Sequence, residues 1–238
     1  MLFRSLARAE QGAAHGGGYR ADIDGLRAVA VMAVILNHLD HSFLPSGYLG
    51  VDIFFVISGF VISASLSRNT HNNLGLFLLG FYARRVRRIL PALITMVAIS
   101  ALAICLVDPN PGTSLLTGIG AIFGVSNIYL VARLTDYFAA STDLNVFLHT
   151  WSLGVEEQFY FFFPILAWWS SLGGRRQAGS RRMLLALTPL LLASLLAFIF
   201  LYPTHRPQAY FLITSRFWEI ACGCAQCSLS PIQDASTG

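Results

Sequence analysis

Apolar residues dominate this chain in long runs rather than in the short alternation typical of half-buried strands. Runs of roughly 17–25 mainly apolar residues are long enough to span a hydrocarbon core about 30 Å thick. Six such runs lie at 26–44, 49–66, 90–107, 155–172, 183–202 and 208–225. The pattern predicts an all-α fold, a polytopic transmembrane helical bundle with six spanning helices.

A seventh apolar stretch, 113–131, is rich in glycine and contains Thr117, Ser126 and Asn127. It either spans the membrane or enters and returns on the same side. Lys and Arg in short loops accumulate on the cytoplasmic side of a membrane. The basic segments up to Arg88 and at 173–182 are therefore both expected to be cytoplasmic, which requires an even number of membrane crossings between them. This favours a re-entrant 113–131 segment and starts the helix at 155–172 on the outer side.

The two ends differ from the apolar core. Residues 1–18 lack the apolar run of a cleavable signal peptide and are expected to form a cytoplasmic tail. Residues 228–238 form a polar C-terminal tail. Because 55% of the residues are apolar and only 12% are charged, the composition excludes a soluble domain, and we expect membrane lipids but no nucleic acid among the partners.

Two ionisable residues share the first apolar helix. His38 follows Arg27 by eleven positions, which returns to within about 20° of the same direction after about 16 Å of helix. A histidine is largely neutral at physiological pH and suits general-base work, although a buried histidine bonded to a neighbouring helix is the alternative. On the next helix, Asp52 either orients this imidazole or faces the headgroups.

Four arginines form the most basic cluster, Arg84, Arg85, Arg87 and Arg88. They are expected just before a spanning helix that holds Pro91 in its first turn. The cluster is a cytoplasmic cationic patch that either binds an anionic ligand, contacts anionic lipids or anchors the topology.

Polar residues also mark later helices. At the start of the 155–172 helix lie His149, Trp151, Ser152, Glu156 and Glu157, which either hold a ligand or form an interfacial belt. Arg216 and Glu219, spaced i,i+3, are expected to neutralise each other.

Three cysteines near the C-terminus have ligand-capable sulfur atoms, Cys222, Cys224 and Cys227. They lack a second ligand pair or a nearby histidine, so we predict close helix packing and no metal site.

These segments together resemble the acyltransferase 3 family over about residues 19–224. The resemblance rests on YRADIDGLRA (19–28), GYLGVDIFFVISGF (47–60), HTWSLGVEEQFY (149–160) and TSRFWEIACG (214–223). Arg85 and Arg88 match its RXXR motif, and Arg27 and His38 match its Arg-X10-His spacing.

The resemblance implies a multi-pass enzyme of the bacterial inner membrane that transfers an acyl group, commonly acetyl from acetyl-CoA, to a carbohydrate hydroxyl. It implies a catalytic His38, assisted by Asp52 and Arg27, that acts as a base or carries the acyl group. The arginine cluster would bind acyl-CoA, the donor substrate, and no separate cofactor is expected. The acceptor-binding residues would be His149, Trp151, Ser152, Glu156, Glu157, Arg216 and Glu219.

Length is the main departure from the family, whose membrane core usually has about ten helices. We therefore expect the acyltransferase-like domain at 19–227 to be C-terminally truncated. The alternatives to an active enzyme are an inactive fragment, a non-catalytic subunit that packs against a partner chain, and a transporter, although paired discontinuous helices are not evident.

Overall fold

The computed structural model describes residues 21–40, 42–67, 73–133, 145–171 and 176–229. These residues form α-helices and one short 3₁₀ turn (Leu148–Thr150), with no strand among them, which confirms the all-α prediction. The helices are α1 (Ala21–Leu39), α2 (Leu49–Ser67), α3 (Leu74–Val107), α4 (Gly112–Ile122), α5 (Ser126–Arg133), α6 (Trp151–Ser171), α7 (Arg176–Leu201), α8 (Arg206–Phe211) and α9 (Ile213–Leu229). The expected tail at 1–18 and nearly all of the tail at 228–238 lie outside the described residues.

The chain divides into two compact units between Gly50 and Val51. In the first unit, the turn after α1 is held by the buried Asn37, whose Nδ2 donates a hydrogen bond to the Leu44 carbonyl over 2.9 Å. A Cβ on Gly47 would overlap the Ala33 carbonyl oxygen, so this turn lies directly on the α1 backbone. The unit is therefore a helix with its following turn folded against it.

Three helices of the described chain are long and apolar enough to cross a membrane: α2, α3 and the Gly179–Leu201 part of α7. They correspond to three of the six predicted spans. The other predicted spans contain helices α1, α6, α8 and α9, which do not reach that combination of length and apolar composition. Charged residues lower the apolar character of α1 and α6, and the last predicted span is divided between two short helices.

Helix α3 begins earlier than predicted. It runs from Leu74, where the Asn73 side chain accepts hydrogen bonds from the backbone N–H groups of Gly75 and Leu76. The four arginines therefore lie inside this helix, and the placing of Pro91 in a first turn is wrong. A proline cannot donate the i→i−4 hydrogen bond, but apolar membrane helices tolerate it where neighbouring groups satisfy the freed carbonyl.

The stretch 113–131 is not one continuous helix. Helix α4 ends at Ile122, the chain turns through Gly124 at a φ of 67°, and α5 starts at Ser126. With 11 residues, α4 measures about 16 Å, too short for a hydrocarbon core of about 30 Å. The stretch is therefore a broken segment, and both its spanning and its re-entrant alternatives stay predictions. Ser126 and Asn127 are fully buried, and Ser126 Oγ donates to the Thr150 carbonyl over 2.9 Å.

The last predicted span, 208–225, is also broken. Leu212 is extended, with φ −84° and ψ 140°, and separates α8 from α9. The Ser215 hydroxyl hydrogen-bonds the carbonyls of Leu212 and Gln208 at 2.9 and 3.1 Å, which satisfies backbone groups left by the break. Helix α9 then continues to Leu229, beyond the end predicted at residue 225.

An aromatic core joins the helices of the second unit. The Trp151 ring packs against Phe55, Tyr210 and Phe211, with centroid distances of 5.9, 4.7 and 5.3 Å. Farther along α6, Phe159 stacks on Phe163 at 4.8 Å. Helices α2, α6, α8 and the start of α9 are therefore held around one core.

Two glycines bring α2 and α9 into direct backbone contact. A Cβ on Gly59 would overlap the Ile220 carbonyl oxygen, and a Cβ on Gly223 would overlap the Val56 carbonyl oxygen. At the same crossing, Cys224 Sγ donates a hydrogen bond to the Gly59 carbonyl over 3.3 Å. Small residues permit such close helix approaches within membranes.

We expect Gly59→Ala and Gly223→Ala each to lower the free energy of unfolding by at least about 1–3 kcal/mol, because a methyl group forces two backbones apart. Thermal unfolding in detergent micelles, followed by tryptophan fluorescence, measures the change. Gly112→Ala is the matched control, since its Cβ would meet no atom within 4 Å. Equal unfolding temperatures for all three variants would contradict the close crossing.

Candidate active site

The first unit carries Arg27 and His38 on α1. Arg27 Nη1 lies 3.9 Å from Asp24 Oδ1, an ion pair one turn apart. His38 is exposed, and its Nδ1 lies 2.9 Å from the Val34 carbonyl oxygen. Because a carbonyl only accepts, Nδ1 carries the hydrogen of the neutral ring and Nε2 carries the lone pair. This is the tautomer in which Nε2 can accept a proton.

The second unit places the arginine cluster on α3, and its members differ in exposure. Arg84, Arg87 and Arg88 are exposed, whereas the Arg85 side chain retains 19% of its accessible surface. The three exposed residues are spaced i, i+3 and i+4, so they share one helix face. The cluster is therefore an exposed cationic stripe with one arginine turned into the protein.

Arg85 is held between two carboxylates of α6. Its Nη2 lies 3.7 Å from Glu156 Oε2, and its Nε lies 3.8 Å from Glu157 Oε1. The guanidinium carbon sits 3.6 Å from the centroid of the Tyr160 ring, a cation–π contact. One positive charge therefore faces two acidic side chains and an aromatic face.

Glu156 is the centre of a buried hydrogen-bonded group. Its Oε1 accepts from the Ser58 hydroxyl over 2.7 Å, and its Oε2 accepts from the Tyr160 hydroxyl over 3.0 Å. Ser58 and Tyr160 also lie 2.9 Å apart through their oxygens. Ser58 belongs to α2 and Arg85 to α3, so this polar cluster ties both helices to α6.

The contact between Arg85 and the two glutamates corrects the predicted topology. The sequence placed the arginine cluster on the cytoplasmic side and the start of the 155–172 helix on the outer side. Side chains within 4 Å of each other lie at one depth. Charge counting failed here because the basic segment belongs to a helix that packs on α6, rather than to a loop.

A second ionic group joins α2 and α9. Arg216 Nη1 lies 3.0 Å from Asp52 Oδ1 and 2.5 Å from Glu219 Oε1. Its Nε donates to the Tyr210 carbonyl over 3.1 Å, and its guanidinium lies 4.7 Å from the Tyr210 ring. Arg216 and Glu219 are buried. The predicted i,i+3 pairing is confirmed, with Asp52 as a further partner that spacing could not reveal.

This ionic group has one positive and two negative side chains. Glu219 Oε2 is buried and has no hydrogen-bond partner among the described residues. Asp52, which the sequence assigned to orienting His38, is engaged by Arg216. The pairing of Asp52 with His38 stays a prediction.

The residues expected to bind an acceptor separate by burial. His149 is exposed and Ser152 is half-buried, with its hydroxyl 3.3 Å from the His149 carbonyl. Trp151 retains 4% of its surface and is enclosed by other aromatic rings. The expectation that Trp151 contacts the acceptor does not fit this position, because the faces of its ring already pack in the core.

Sequence reasoning missed the polar residues that support these charges. Ser58 lies in an otherwise apolar helix, and Tyr160 lies one turn after Glu156, a spacing that brings the two side chains together. A third group, on α5 and α6, joins Asn127 Oδ1 to Gln158 Nε2 over 2.8 Å. For Ser58, the available signal was an isolated polar residue within an apolar run.

The three cysteines near the C-terminus, which were predicted to serve helix packing, lie on α9. Cys224 and Cys227 are buried, and Cys222 is half-buried. The sulfur of Cys224 bonds a carbonyl across the α2–α9 crossing. That contact fits the packing role predicted from the sequence.

Comparisons with known proteins agree on one family. A family model described as an acyltransferase domain matches residues 20–224. O-acetyltransferase OatA of Staphylococcus aureus, from strains NCTC 8325 / PS 47 and COL, is 37% identical over 143 residues. Proteins of strains MSSA476 and MRSA252 that carry O-acetyltransferase names are 39% identical over 143 residues.

Each of these alignments covers 60% of this chain and 24% of the relative. The chain therefore matches about a quarter of the length of the curated relatives. No solved structure matches. Because the family model covers most of the sequence, from the residues before Arg27 to those after Glu219, the chain belongs to the acyltransferase 3 family.

Proposed function

We propose that this chain is a multi-pass acyltransferase of a bacterial inner membrane that transfers an acyl group from acyl-CoA to a carbohydrate hydroxyl. The observation that carries the proposal is the match of the acyltransferase model over residues 20–224. The relatives named O-acetyltransferase favour acetyl as the acyl group and oxygen as its acceptor. Three helices suited to crossing a membrane agree with a membrane enzyme.

The exposed arginine stripe supports the choice of donor. Coenzyme A carries several phosphate groups, and arginine binds phosphate through charge-assisted, often bidentate hydrogen bonds. Arg84, Arg87 and Arg88 point from one exposed face of α3. We assign the phosphate contacts of the donor to this stripe.

His38 is assigned the proton transfer. Its Nε2 accepts the proton of the acceptor hydroxyl while the oxygen attacks the thioester carbonyl. The carbon–sulfur bond then breaks, and the coenzyme A thiolate leaves and takes up a proton. In the alternative route, Nε2 itself attacks the thioester and carries the acyl group to the acceptor. Both routes need the lone pair that the Val34 hydrogen bond places on Nε2.

The acceptor contacts belong to polar side chains that are accessible. His149 is exposed, and Glu157 retains 33% of its side-chain surface. Together with Ser152 they offer hydrogen-bonding groups around the start of α6. The buried Glu156, Arg216 and Glu219 are better suited to supporting that surface than to touching a sugar.

We expect His38→Ala to reduce acyl transfer by at least about 10²–10⁴-fold, because a general base usually contributes a factor of that size. Transfer of label from radioactive acetyl-CoA to membrane glycan is measured in vesicles containing the chain. His205→Ala is the matched control, because His205 is also exposed and its ring nitrogen Nδ1 lies 2.9 Å from the hydroxyl of the neighbouring Thr204.

Two results would count against the enzyme. If the unaltered, folded chain neither labels glycan nor hydrolyses acetyl-CoA, these residues act as a non-catalytic membrane component. If His38→Ala and His205→Ala have equal effects, the catalytic assignment of His38 is wrong.

We expect Arg88→Gln and Arg84→Gln each to raise the KM for acetyl-CoA by about 10–100-fold with little change in kcat. A hydrogen bond to a charged group contributes about 1.5–3 kcal/mol, and each 1.4 kcal/mol is a factor of ten. Initial rates over a range of acetyl-CoA concentrations give the result. Arg181→Gln removes an exposed arginine from α7 and should leave KM unchanged; a similar rise there would indicate a nonspecific charge effect.

A further inference from the structure

We propose that Arg85 is a positioning residue of this acyltransferase and not a ligand of coenzyme A, so the two arginines of the RXXR motif have different tasks. This inference rests on the proposed function, because it gives different roles to the two arginines of a motif that is proposed to bind the acyl donor. It assigns to Arg85 the placement of Glu156, Glu157 and Tyr160 at the start of α6.

The charge around Arg85 is the first argument. Glu156 and Glu157 lie 3.7 and 3.8 Å from its guanidinium. Two carboxylates around one guanidinium leave a local net negative charge when all three are ionised. A phosphate group would be repelled by that environment, whereas the exposed stripe formed by Arg84, Arg87 and Arg88 would attract it.

Access is the second argument. The Tyr160 ring covers one face of the guanidinium at 3.6 Å, and only 19% of the Arg85 side chain is exposed. Bidentate binding of a phosphate requires the open edge of the guanidinium fork. In Arg85, Nη2 and Nε both face carboxylates.

The hydrogen bonds beyond Arg85 show what it positions. Glu156 retains 4% of its surface, accepts from Ser58 and Tyr160, and has Arg85 as its cationic neighbour among the described residues. A buried carboxylate is strongly unfavourable without a counter-charge. Removing Arg85 would therefore displace Glu156 and, with it, the first turns of α6 that carry the accessible Glu157 and Ser152.

Equilibrium binding of free coenzyme A to the purified full chain in lipid nanodiscs tests the division of tasks. We expect Arg85→Gln to leave the Kd within about threefold of the unaltered value, while Arg88→Gln raises it at least tenfold. In acyl transfer, Arg85→Gln should lower kcat at least tenfold with little change in KM. Arg85→Lys, which retains the charge, should recover part of kcat. An equal loss of coenzyme A binding in Arg85→Gln and Arg88→Gln, with both variants folded, overturns the proposal.

A double-mutant cycle tests the positioning contact without any substrate. Thermal unfolding is measured for Arg85→Gln, Glu156→Gln and the double variant. We expect the double variant to unfold at a higher temperature than the sum of the two single shifts predicts, because Arg85→Gln alone leaves the buried Glu156 carboxylate without its cation and the double variant does not. Additive shifts overturn the proposal. If the unaltered chain binds no coenzyme A, the proposed donor fails, and this cycle still decides whether Arg85 positions Glu156.

Discussion

A guanidinium buried away from water needs counter-charges within the protein, and this requirement determines which helices of the second unit are joined. A buried ion left without a partner costs several kcal/mol. Arg216 meets the requirement with Asp52 and Glu219, and Arg85 meets it with Glu156 and Glu157. The first group ties α2 to α9, and the second ties α3 to α6. Each guanidinium also lies over a tyrosine ring, at 4.7 and 3.6 Å.

The packing around these groups explains why they can be so precisely placed. Gly59 and Gly223 allow α2 and α9 to meet backbone to backbone. Ser58 precedes Gly59 and points to Glu156, so the same turn of α2 serves both the crossing and the polar cluster. Close packing leaves little room for the charged side chains to reorganise, because protein interiors are nearly as dense as crystals of small molecules. A larger residue at Gly59 or Gly223 would therefore also displace the carboxylate groups nearby.

Much of this fold follows from the sequence because it depends on local pattern. Long apolar runs identified α2 and α7, and the i,i+3 spacing identified the Arg216–Glu219 pair. The start of α3 was missed because a count of charges does not distinguish arginines in a helix from arginines in a loop. The break at Leu212 was missed because no proline or glycine marks it. The contacts Arg85–Glu156 and Arg216–Asp52 join residues far apart in the chain, and neither spacing nor composition contains that information. The burial of Trp151 depends on the same long-range packing.

The geometry of a helix explains how one short basic motif can supply both a ligand-binding surface and an internal support. At about 100° per residue, Arg84, Arg87 and Arg88 occupy an arc of about 100°, whereas Arg85 lies about 60° beyond its nearer edge. The arc faces outward, and the rotation carries Arg85 onto the face of α3 that meets α6. The four arginines together spread over about 160° of the helix circumference, too wide for every guanidinium to face the same direction. The residue turned inward must be neutralised, and in this chain the adjacent glutamates of α6 neutralise it while leaving the outward stripe its positive charge.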